Sequence, residues 1–310
     1  MKLSEEMKNK TLLSFELFPP KTEKGLQNLP GTIDHLMKYK PSYISCTYGA
    51  GGGNVGANRE VCQMIKNAGT TPVTHFTVIK NTKEGIKEQL DQYLADGVDH
   101  MLALRGDIPL GETTTCGDFD YATDLVKFVR DTYGDKFEIA VAGSPEGHIS
   151  CRSLESDIAV LKQKQDNGAD YIMTQLCWDM EQFKYWLDAI RKAGITMPVD
   201  VGVMPILDQA ATINMALSRN GCVMDHELCK IISQNWLFPN PFAAKDAEGK
   251  PFDMFYDDKI KRFREAGIEY TIKQIDKYRA LGIDGIHLYA LNKWQDVSRI
   301  IEESGMATLI

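Results

Sequence analysis

The feature that most constrains the fold is a recurring unit in which an amphipathic stretch ends in a glycine and a short apolar run follows. The unit occurs at Gly97 before residues 100–104, at Gly168 before residues 171–176, and at Gly282 before residues 285–290. A glycine just past a helix end supplies the left-handed cap, and an apolar run of this length fits a buried parallel strand. The repeat therefore predicts helices that alternate with the strands of one parallel sheet.

Eight apolar runs of this kind occur along the chain. They are Leu12 to Phe18, Tyr43 to Thr47, Val73 to Ile79, His100 to Leu104, Phe137 to Ala142, Tyr171 to Leu176, Val199 to Met204, and Gly285 to Ala290. Helical patterns lie between them, such as Lys83 to Ala95, Tyr121 to Thr132, and Ser153 to Gln165. This alternation predicts an α/β fold, a (β/α)8 TIM barrel that spans residues 1–310 as a single catalytic domain. An open doubly wound sheet is the alternative, but no Gly-x-Gly-x-x-Gly follows the first strand.

One segment departs from the alternation. Roughly eighty residues separate the seventh and eighth apolar runs, which is long for a connection in a compact domain. They include a stretch punctuated by proline and glycine, from Phe238 to Pro251. Residues 237–256 are interpreted either as a lid or binding loop or as a surface insertion, and the sequence favours neither.

Composition excludes several classes of function. The net charge is −8, which argues against nucleic acid as the main partner but leaves room for a local basic pocket. No apolar run is long enough to cross a bilayer and no signal-peptide pattern is visible, so we expect no membrane partner and a cytoplasmic location. The seven cysteines are scattered without a Cys-x-x-Cys pair, so neither a metal site nor a disulfide framework is expected.

Polar side chains stand near the end of almost every predicted strand, where a barrel places its active site. Glu16 lies between Phe15 and Leu17, and a carboxylate is costly to bury while ionised. We therefore expect its pKa to rise, which would suit a general acid. Pairing with a nearby lysine or arginine is the alternative.

The other strand ends carry the same kind of residue. A glycine-rich stretch, 47–54, is interpreted either as a ligand-approaching loop or as a flexible one. A single strand histidine, His75, is either a hydrogen-bonded core residue or a catalyst. The Arg105-Gly106-Asp107 triplet is interpreted as a ligand contact at the barrel mouth. Further polar groups follow at residues 143–148, 174–175 and 289–293. Together they predict one site on one rim of the barrel.

Six ordered motifs along this rim resemble the methylenetetrahydrofolate reductase family. They are Ser14 to Pro20, Thr47 to Ala50, Leu104 to Asp107, Pro145 to His148, Thr174-Gln175, and Tyr289 to Asn292. The resemblance runs from about Leu13 to Asn292. It implies a barrel that holds FAD without a covalent bond and assembles as a homo-oligomer. NADH or NADPH would reduce the flavin and leave, and 5,10-methylenetetrahydrofolate would then be reduced to 5-methyltetrahydrofolate on the same face.

The resemblance also implies roles for individual residues. Glu16 matches the general acid that helps to open the five-membered ring of the folate, and Asp107 matches the acidic residue near the flavin and pterin rings. Gln175 matches a residue that contacts folate and nicotinamide in turn, Thr47 a nicotinamide contact, and Lys293 a position linked to folate. Implied FAD contacts are Tyr48, Ala50, His75, Arg105, Gly106, Asp107, Ala122, Ser144, His148, Cys151, Asp157 and Lys164. Arg105 and Lys164 would offset the diphosphate charge.

The chain departs from the family pattern at several of these positions. Ser144 stands where bacterial members have tyrosine, and Val160 and Gln163 replace an asparagine and an arginine on one helix. Lys293 replaces an arginine, which keeps the charge but loses the bidentate fork. Ala211 stands where a glutamine is expected. These differences predict contacts to FAD and to the folate tail that are not the family's own.

Two other functions are compatible with the residues. One is a barrel enzyme that handles pterins or phosphorylated metabolites without flavin. The other is a flavin-binding subunit that passes electrons to a partner protein, although no cysteine spacing typical of an iron–sulfur cluster supports it.

Overall fold

The computed structural model describes residues 2–48, 55–108, 111–218, 221–237, 256–290 and 292–309. Eight parallel strands, each hydrogen-bonded to the next, form a barrel that closes where β1 pairs with β8. The strands are β1 (Leu12–Leu17), β2 (Tyr43–Cys46), β3 (Thr71–Thr77), β4 (His100–Leu104), β5 (Glu138–Gly143), β6 (Tyr171–Thr174), β7 (Val199–Val203) and β8 (Gly285–Tyr289). All eight predicted strands are confirmed, and the (β/α)8 barrel with them.

Helices occupy the connections between the strands, and one more stands before β1 and one after β8. They are α1 (Leu3–Glu6), α2 (Glu23–Met37), α3 (Val55–Asn67), α4 (Lys83–Ala95), α5 (Ala122–Tyr133), α6 (Leu154–Asp166), α7 (Met180–Lys192), α8 (Gln209–Leu217), α9 (His226–Gln234), α10 (Tyr256–Ala280) and α11 (Trp294–Glu303). The predicted helix over residues 83–95 has the predicted bounds, and the two predicted at 121–132 and 153–165 are each displaced by one residue. Within the part of the chain that the structure describes, no helix is both long and apolar enough to cross a membrane.

The alternation of side chains along β1 explains which residues reach the barrel interior. Leu13, Phe15 and Leu17 pack into the large core between the strands and the surrounding helices. Because successive side chains of a strand point to opposite faces, Ser14 and Glu16 face inward, toward the other strands. The same two-residue period places polar groups of β2, β3, β7 and β8 inside the barrel.

A second, smaller core fills the amino-terminal end of the barrel. It contains Leu12, Tyr43 and Tyr171 from the strands, and Leu3 and Met7 from the amino-terminal segment. This end is closed by α1, because the Glu138 carboxylate of β5 accepts the backbone N–H groups of Leu3 and Ser4, both at 2.7 Å. The opposite end, at the carboxyl termini of the strands, carries the site.

Candidate active site at the carboxyl ends of the strands

Glu16 lies on the inner wall of the barrel, next to two histidines. Its Oε2 is 3.5 Å from Nε2 of His75 on β3 and 3.9 Å from Nε2 of His287 on β8. The side chain of Glu16 is 20% exposed, whereas His287 is 1% exposed. The carboxyl group can therefore meet a ligand at the mouth while its imidazole partners are covered by protein.

The pKa of Glu16 corrects a prediction from the sequence. Burial is the largest influence and acts to raise this pKa, but the nearby His287 imidazole and the charge of His75 outweigh burial, and the net pKa is lowered. The expectation of a raised pKa is therefore wrong for the protein without ligand. The described partners are histidines, not the lysine or arginine considered as the alternative. They lie on β3 and β8, strands that only barrel closure brings to β1.

A buried polar network continues from Glu16 toward the amino-terminal end of the barrel. The Ser45 hydroxyl bridges the two histidines, 3.3 Å from Nε2 of His75 and 3.2 Å from Nε2 of His287. On the other side of the His287 ring, Nδ1 lies 2.7 Å from the Ser14 hydroxyl oxygen. Ser14 in turn donates to Oδ2 of Asp200 at 3.2 Å. The network thus links strands that are far apart in the chain.

The sequence reasoning did not single out Ser14, Ser45, His287 or Asp200. A signal was present, because Asp200 stands in the otherwise apolar strand Val199–Val203 and is fully buried. An ionisable residue in such a run must find partners inside the protein. The sequence shows that partners are needed but not which strands supply them.

Basic side chains gather on the neighbouring part of the rim, after β4 and β5. Burial and then the charge of Arg105 lower the pKa of His148; Lys164 acts in the same direction, and Asp157 opposes it. Burial also lowers the pKa of Lys164, whose Nζ donates to the Ala142 carbonyl at 2.8 Å. A guanidinium and an ammonium group close to the His148 imidazole make this part of the rim suited to binding an anion.

Two further residues predicted to contact FAD lie in the same part of the chain, one after β5 and one at the start of α5. Cys151 donates its thiol to Oδ1 of Asp157 at 3.4 Å, and burial raises the pKa of that thiol. Ala122 is buried at the first position of α5. Of the substituted positions on α6, Val160 is exposed, as is Gln163.

The Arg-Gly-Asp triplet after β4 needs its glycine. Gly106 has φ +87°, and a Cβ there would approach the side chains of Thr77 and Ile79 to 3.1 Å. The positive φ would strain any residue with a side chain, and the neighbouring side chains would also have to shift by a few tenths of an ångström. The tight turn leaves Arg105 half-buried and Asp107 exposed at the mouth.

The end of β2 is fixed by a residue that the sequence reasoning missed. Asn58 of α3 is fully buried, and its amide group donates to the carbonyls of Cys46 and Thr47 at 2.9 and 3.1 Å. Thr47 also donates its backbone N–H to Leu17 of β1 at 3.0 Å. Tyr48 is buried and donates its hydroxyl to Gln89. Thr47 and Tyr48 are therefore held from both sides, while Ala50 lies outside the described residues.

Gln175 and Ser144 share a small crevice with Glu146 between β5 and β6. The backbone N–H of Gln175 donates to the Gly143 carbonyl at 2.8 Å, which fixes the start of the loop after β6. Burial raises the pKa of Glu146 to about 7, although it accepts the Val223 N–H at 3.0 Å. This crevice joins the loop of the basic cluster to the loop that carries Gln175.

The last strand is tied to the first at the rim. The side chain of Asn292 donates to the Phe18 carbonyl at 3.0 Å and accepts the Phe18 N–H at 3.3 Å. Lys293, the next residue, is exposed, and its backbone N–H donates to Ala290 at 2.7 Å. Of the segment predicted as a lid or insertion, residues 238–255 lie outside the part that the structure describes.

Comparisons with a family model and with individual proteins point to the same family. The family model described as methylenetetrahydrofolate reductase matches residues 2–232. Methylenetetrahydrofolate reductase 1 of Schizosaccharomyces pombe is 33% identical over 316 residues, which covers 99% of this chain and 49% of the relative. Methylenetetrahydrofolate reductase (NADH) 1 of Arabidopsis thaliana is 33% identical, over 96% of this chain and 48% of the relative. The chain spans about half the length of these relatives.

A bacterial relative and a solved structure add to this. The 5,10-methylenetetrahydrofolate reductase of Escherichia coli is 34% identical over 202 residues, 65% of this chain and 67% of the relative. A Clostridium thermocellum protein that binds two copies of 5-methyl-5,6,7,8-tetrahydrofolic acid has the same fold, with a TM-score of 0.65, 12% identity and coverage of 99% of this chain and 100% of the other. At that identity the structural likeness concerns the fold alone. The family model and the sequence relatives show more than the fold. They establish that this chain belongs to the methylenetetrahydrofolate reductase family.

Proposed function

We propose that this chain reduces 5,10-methylenetetrahydrofolate to 5-methyltetrahydrofolate with FAD as cofactor and reduced nicotinamide as electron donor, in a ping-pong sequence. The observation that carries the proposal is the position of Glu16, a carboxyl group held between two imidazoles at the open end of the barrel. Family membership supports the same reaction. The Arabidopsis relative carries NADH in its name, which supports NADH over NADPH as the donor.

The basic cluster fits the diphosphate of FAD. The charges of Arg105 and Lys164 both act on the His148 imidazole, and an anion bound beside them would offset that positive charge. The other residues proposed to hold the cofactor are Tyr48, Ala50, His75, Gly106, Asp107, Ala122, Ser144, Cys151 and Asp157. When bound, FAD would accept hydride from the nicotinamide and deliver it to the folate.

Glu16 is proposed to protonate the folate nitrogen that departs when the five-membered ring opens, leaving an electrophilic iminium. The two imidazoles favour its carboxylate form in the protein without ligand. Burial already pulls the other way, and a flat pterin ring over the exposed fifth of the side chain would remove its remaining water. Protonation of Glu16 would then accompany folate binding.

The remaining rim residues are proposed to bind and orient the substrates. Asp107, exposed at the mouth, would hold the pterin by hydrogen bonds and disfavour negative charge on the nearby flavin. Gln175 would contact folate and nicotinamide in turn, Thr47 would contact nicotinamide, and Lys293 would face the folate tail. The chain is further proposed to assemble with copies of itself, which sedimentation velocity tests.

The absorption spectrum of the purified protein tests the proposal. A flavin band is expected, and it should bleach with NADH under anaerobic conditions and recover when 5,10-methylenetetrahydrofolate is added. Colourless protein that releases no FAD on denaturation would instead indicate a barrel enzyme without flavin. Bleaching without recovery would exclude the folate as acceptor. Bound FAD with little activity until a partner protein is added would indicate an electron-transfer subunit.

A further inference from the structure

The buried carboxyl group of Asp200 has no direct part in the proposed reaction. It lies on β7 inside the barrel, and its Oδ2 accepts hydrogen bonds from the Tyr43 hydroxyl at 2.6 Å and the Ser14 hydroxyl at 3.2 Å. Space for it depends on Gly285, where a Cβ would lie only 2.6 Å from Oδ1. Burying a carboxyl group is costly. Its position in the network beneath Glu16 therefore calls for an explanation.

The hydrogen bonds of Ser14 determine which nitrogen of His287 carries a proton. A hydroxyl group has one proton to donate, and the acceptors around Ser14 are Oδ2 of Asp200 at 3.2 Å and the Ile286 carbonyl at 3.4 Å. The carboxyl oxygen is both nearer and the stronger acceptor. With its proton directed there, Ser14 can only accept from Nδ1 of His287, 2.7 Å away. The proton of neutral His287 is then on Nδ1.

The other nitrogen of His287 faces Glu16. Nε2 lies 3.2 Å from the Ser45 hydroxyl and 3.9 Å from Oε2 of Glu16. If Nδ1 keeps its proton, any proton that His287 gains or loses is the one on Nε2. Because 3.9 Å exceeds hydrogen-bond distance, the transfer requires the Glu16 side chain to move toward Nε2 or one water to bridge the two atoms. Moving the proton from the imidazolium to the Glu16 carboxylate gives neutral His287 and a protonated Glu16, so charge and atoms balance.

We propose that Asp200 is a positioning residue for Glu16: by accepting the Ser14 proton it keeps a proton on Nδ1 of His287, so that His287 exchanges protons with Glu16 through Nε2. The functional consequence rests on the proposed folate reduction. Without Asp200, Nδ1 of His287 at 2.7 Å would be a nearer acceptor for the Ser14 proton than the Ile286 carbonyl at 3.4 Å, and neutral His287 would then carry its proton on Nε2. That fixed proton would face the Glu16 carboxylate, 3.9 Å away, and favour its ionised form.

The arrangement of protons can be measured without any activity. In protein labelled with 15N-histidine, the ring nitrogen shifts distinguish the two neutral tautomers at a pH of about 8.5, where an imidazole is ordinarily neutral. The His287 signals are assigned by their loss in His287→Gln. We expect the proton on Nδ1 in the wild type and on Nε2 in Asp200→Val. A wild-type proton on Nε2 overturns the proposal even if Asp200→Val does not fold, and so does an unchanged tautomer in the variant.

Half-reaction kinetics separate this role from a structural one. In Asp200→Val, recovery of the flavin band with folate should slow by about tenfold or more, while bleaching by NADH stays as in the wild type. Equal slowing of both half-reactions overturns the proposal. If the wild type bleaches but does not recover with folate, the proposed function fails, whereas the tautomer measurement still tests the role of Asp200.

Tyr43→Phe is the matched control. It removes a hydrogen bond to the same oxygen of Asp200 but keeps the ring that stacks on His287, with centroids 5.5 Å apart. The tautomer and the recovery rate should stay close to those of the wild type. Slowing as large as in Asp200→Val would show that general disturbance of the buried network is responsible, and would overturn the proposal.

Discussion

Glu16 combines two opposing influences that act on one carboxyl group. Removal from water favours its protonated form, whereas His75 and His287 favour the carboxylate. The balance lies with the histidines in the protein without ligand, and a ligand that covers the remaining 20% of the side chain adds to the opposing influence. This residue can therefore change its protonation state with occupancy of the site.

The variant Glu16→Gln tests the role of this carboxyl group. The amide has nearly the same shape but cannot donate a proton as an acid, so folate reduction should fall by about 10² to 10⁴-fold. Bleaching by NADH should persist, because that half-reaction does not require the acid. Normal folate reduction in this variant would show that the proton comes from another group.

Folate binding should also take up protons. If the pKa of Glu16 rises when the site is covered, up to about one proton per site is taken from the buffer near neutral pH. Calorimetric titrations with 5-methyltetrahydrofolate in two buffers of different ionisation enthalpy measure this number. The uptake should disappear in Glu16→Gln, and equal uptake by the two proteins would assign it to other groups.

At the scale of single elements, the short helix α1 depends on its contacts with the barrel, among them hydrogen bonds to a charged carboxylate. A four-residue helix has little intrinsic stability, so its position depends on tertiary contacts. The Glu138 carboxylate of β5 accepts two of its backbone N–H groups and pairs with Nε2 of His100 at 3.0 Å. Burial acts to raise the pKa of Glu138, but hydrogen bonds from His100 and Ser4 outweigh burial and lower the net pKa.

This anchor predicts a pH dependence of stability. Burial opposes protonation of His100, but hydrogen bonds that its imidazole donates to the carboxylates of Asp99 and Glu138 outweigh burial and raise the pKa of His100 from 6.5 to about 9. A raised pKa in the folded state stabilises the protein fully below pH 6.5, and this contribution is lost as pH rises through about 9. Urea unfolding should show the free energy of unfolding falling over this range. The fall should be smaller in His100→Gln, and an unchanged slope would contradict the assignment.

At the scale of the whole molecule, the pairing of β1 with β8 makes the barrel depend on both ends of the chain. Five residue pairs, from Leu12–Gly285 to Glu16–Tyr289, form this seam, and Asn292 extends it to the rim. Because each strand of a closed barrel pairs with two neighbours, a strand can detach only if its backbone hydrogen bonds to both neighbours break. We therefore propose that the barrel unfolds as one unit, in agreement with the single domain predicted from the sequence.

Thermal unfolding tests both this unity and FAD binding. A single transition with agreement between calorimetric and van't Hoff enthalpies is expected, and two separated transitions would indicate independent units. Free FAD at about 100 times its dissociation constant should add about 2.7 kcal/mol to the free energy of unfolding. No shift with FAD, together with a normal shift for a folate, would argue against the flavin site.

The order of strands, helices and polar motifs could be predicted from the sequence because these are local or periodic properties. Glycine caps, apolar runs and the two-residue period place each strand and the side chains that follow it. The motif at Glu16 was found for the same reason. The roles assigned to the site residues remain predictions, and Ala50 and most of the predicted lid lie outside the residues that the structure describes.

The tertiary structure decided which side chains share the barrel interior, because strand closure brings together residues that are far apart in the chain. His75, His287 and Asp200 stand on three different strands, and none of them is a neighbour of Glu16 in the sequence. A pKa depends on distances through space to charges and to water. The sequence by itself determined that a carboxyl group stands at the rim of the barrel. Only closure of the barrel determined which histidines lie next to this group and favour its ionised form.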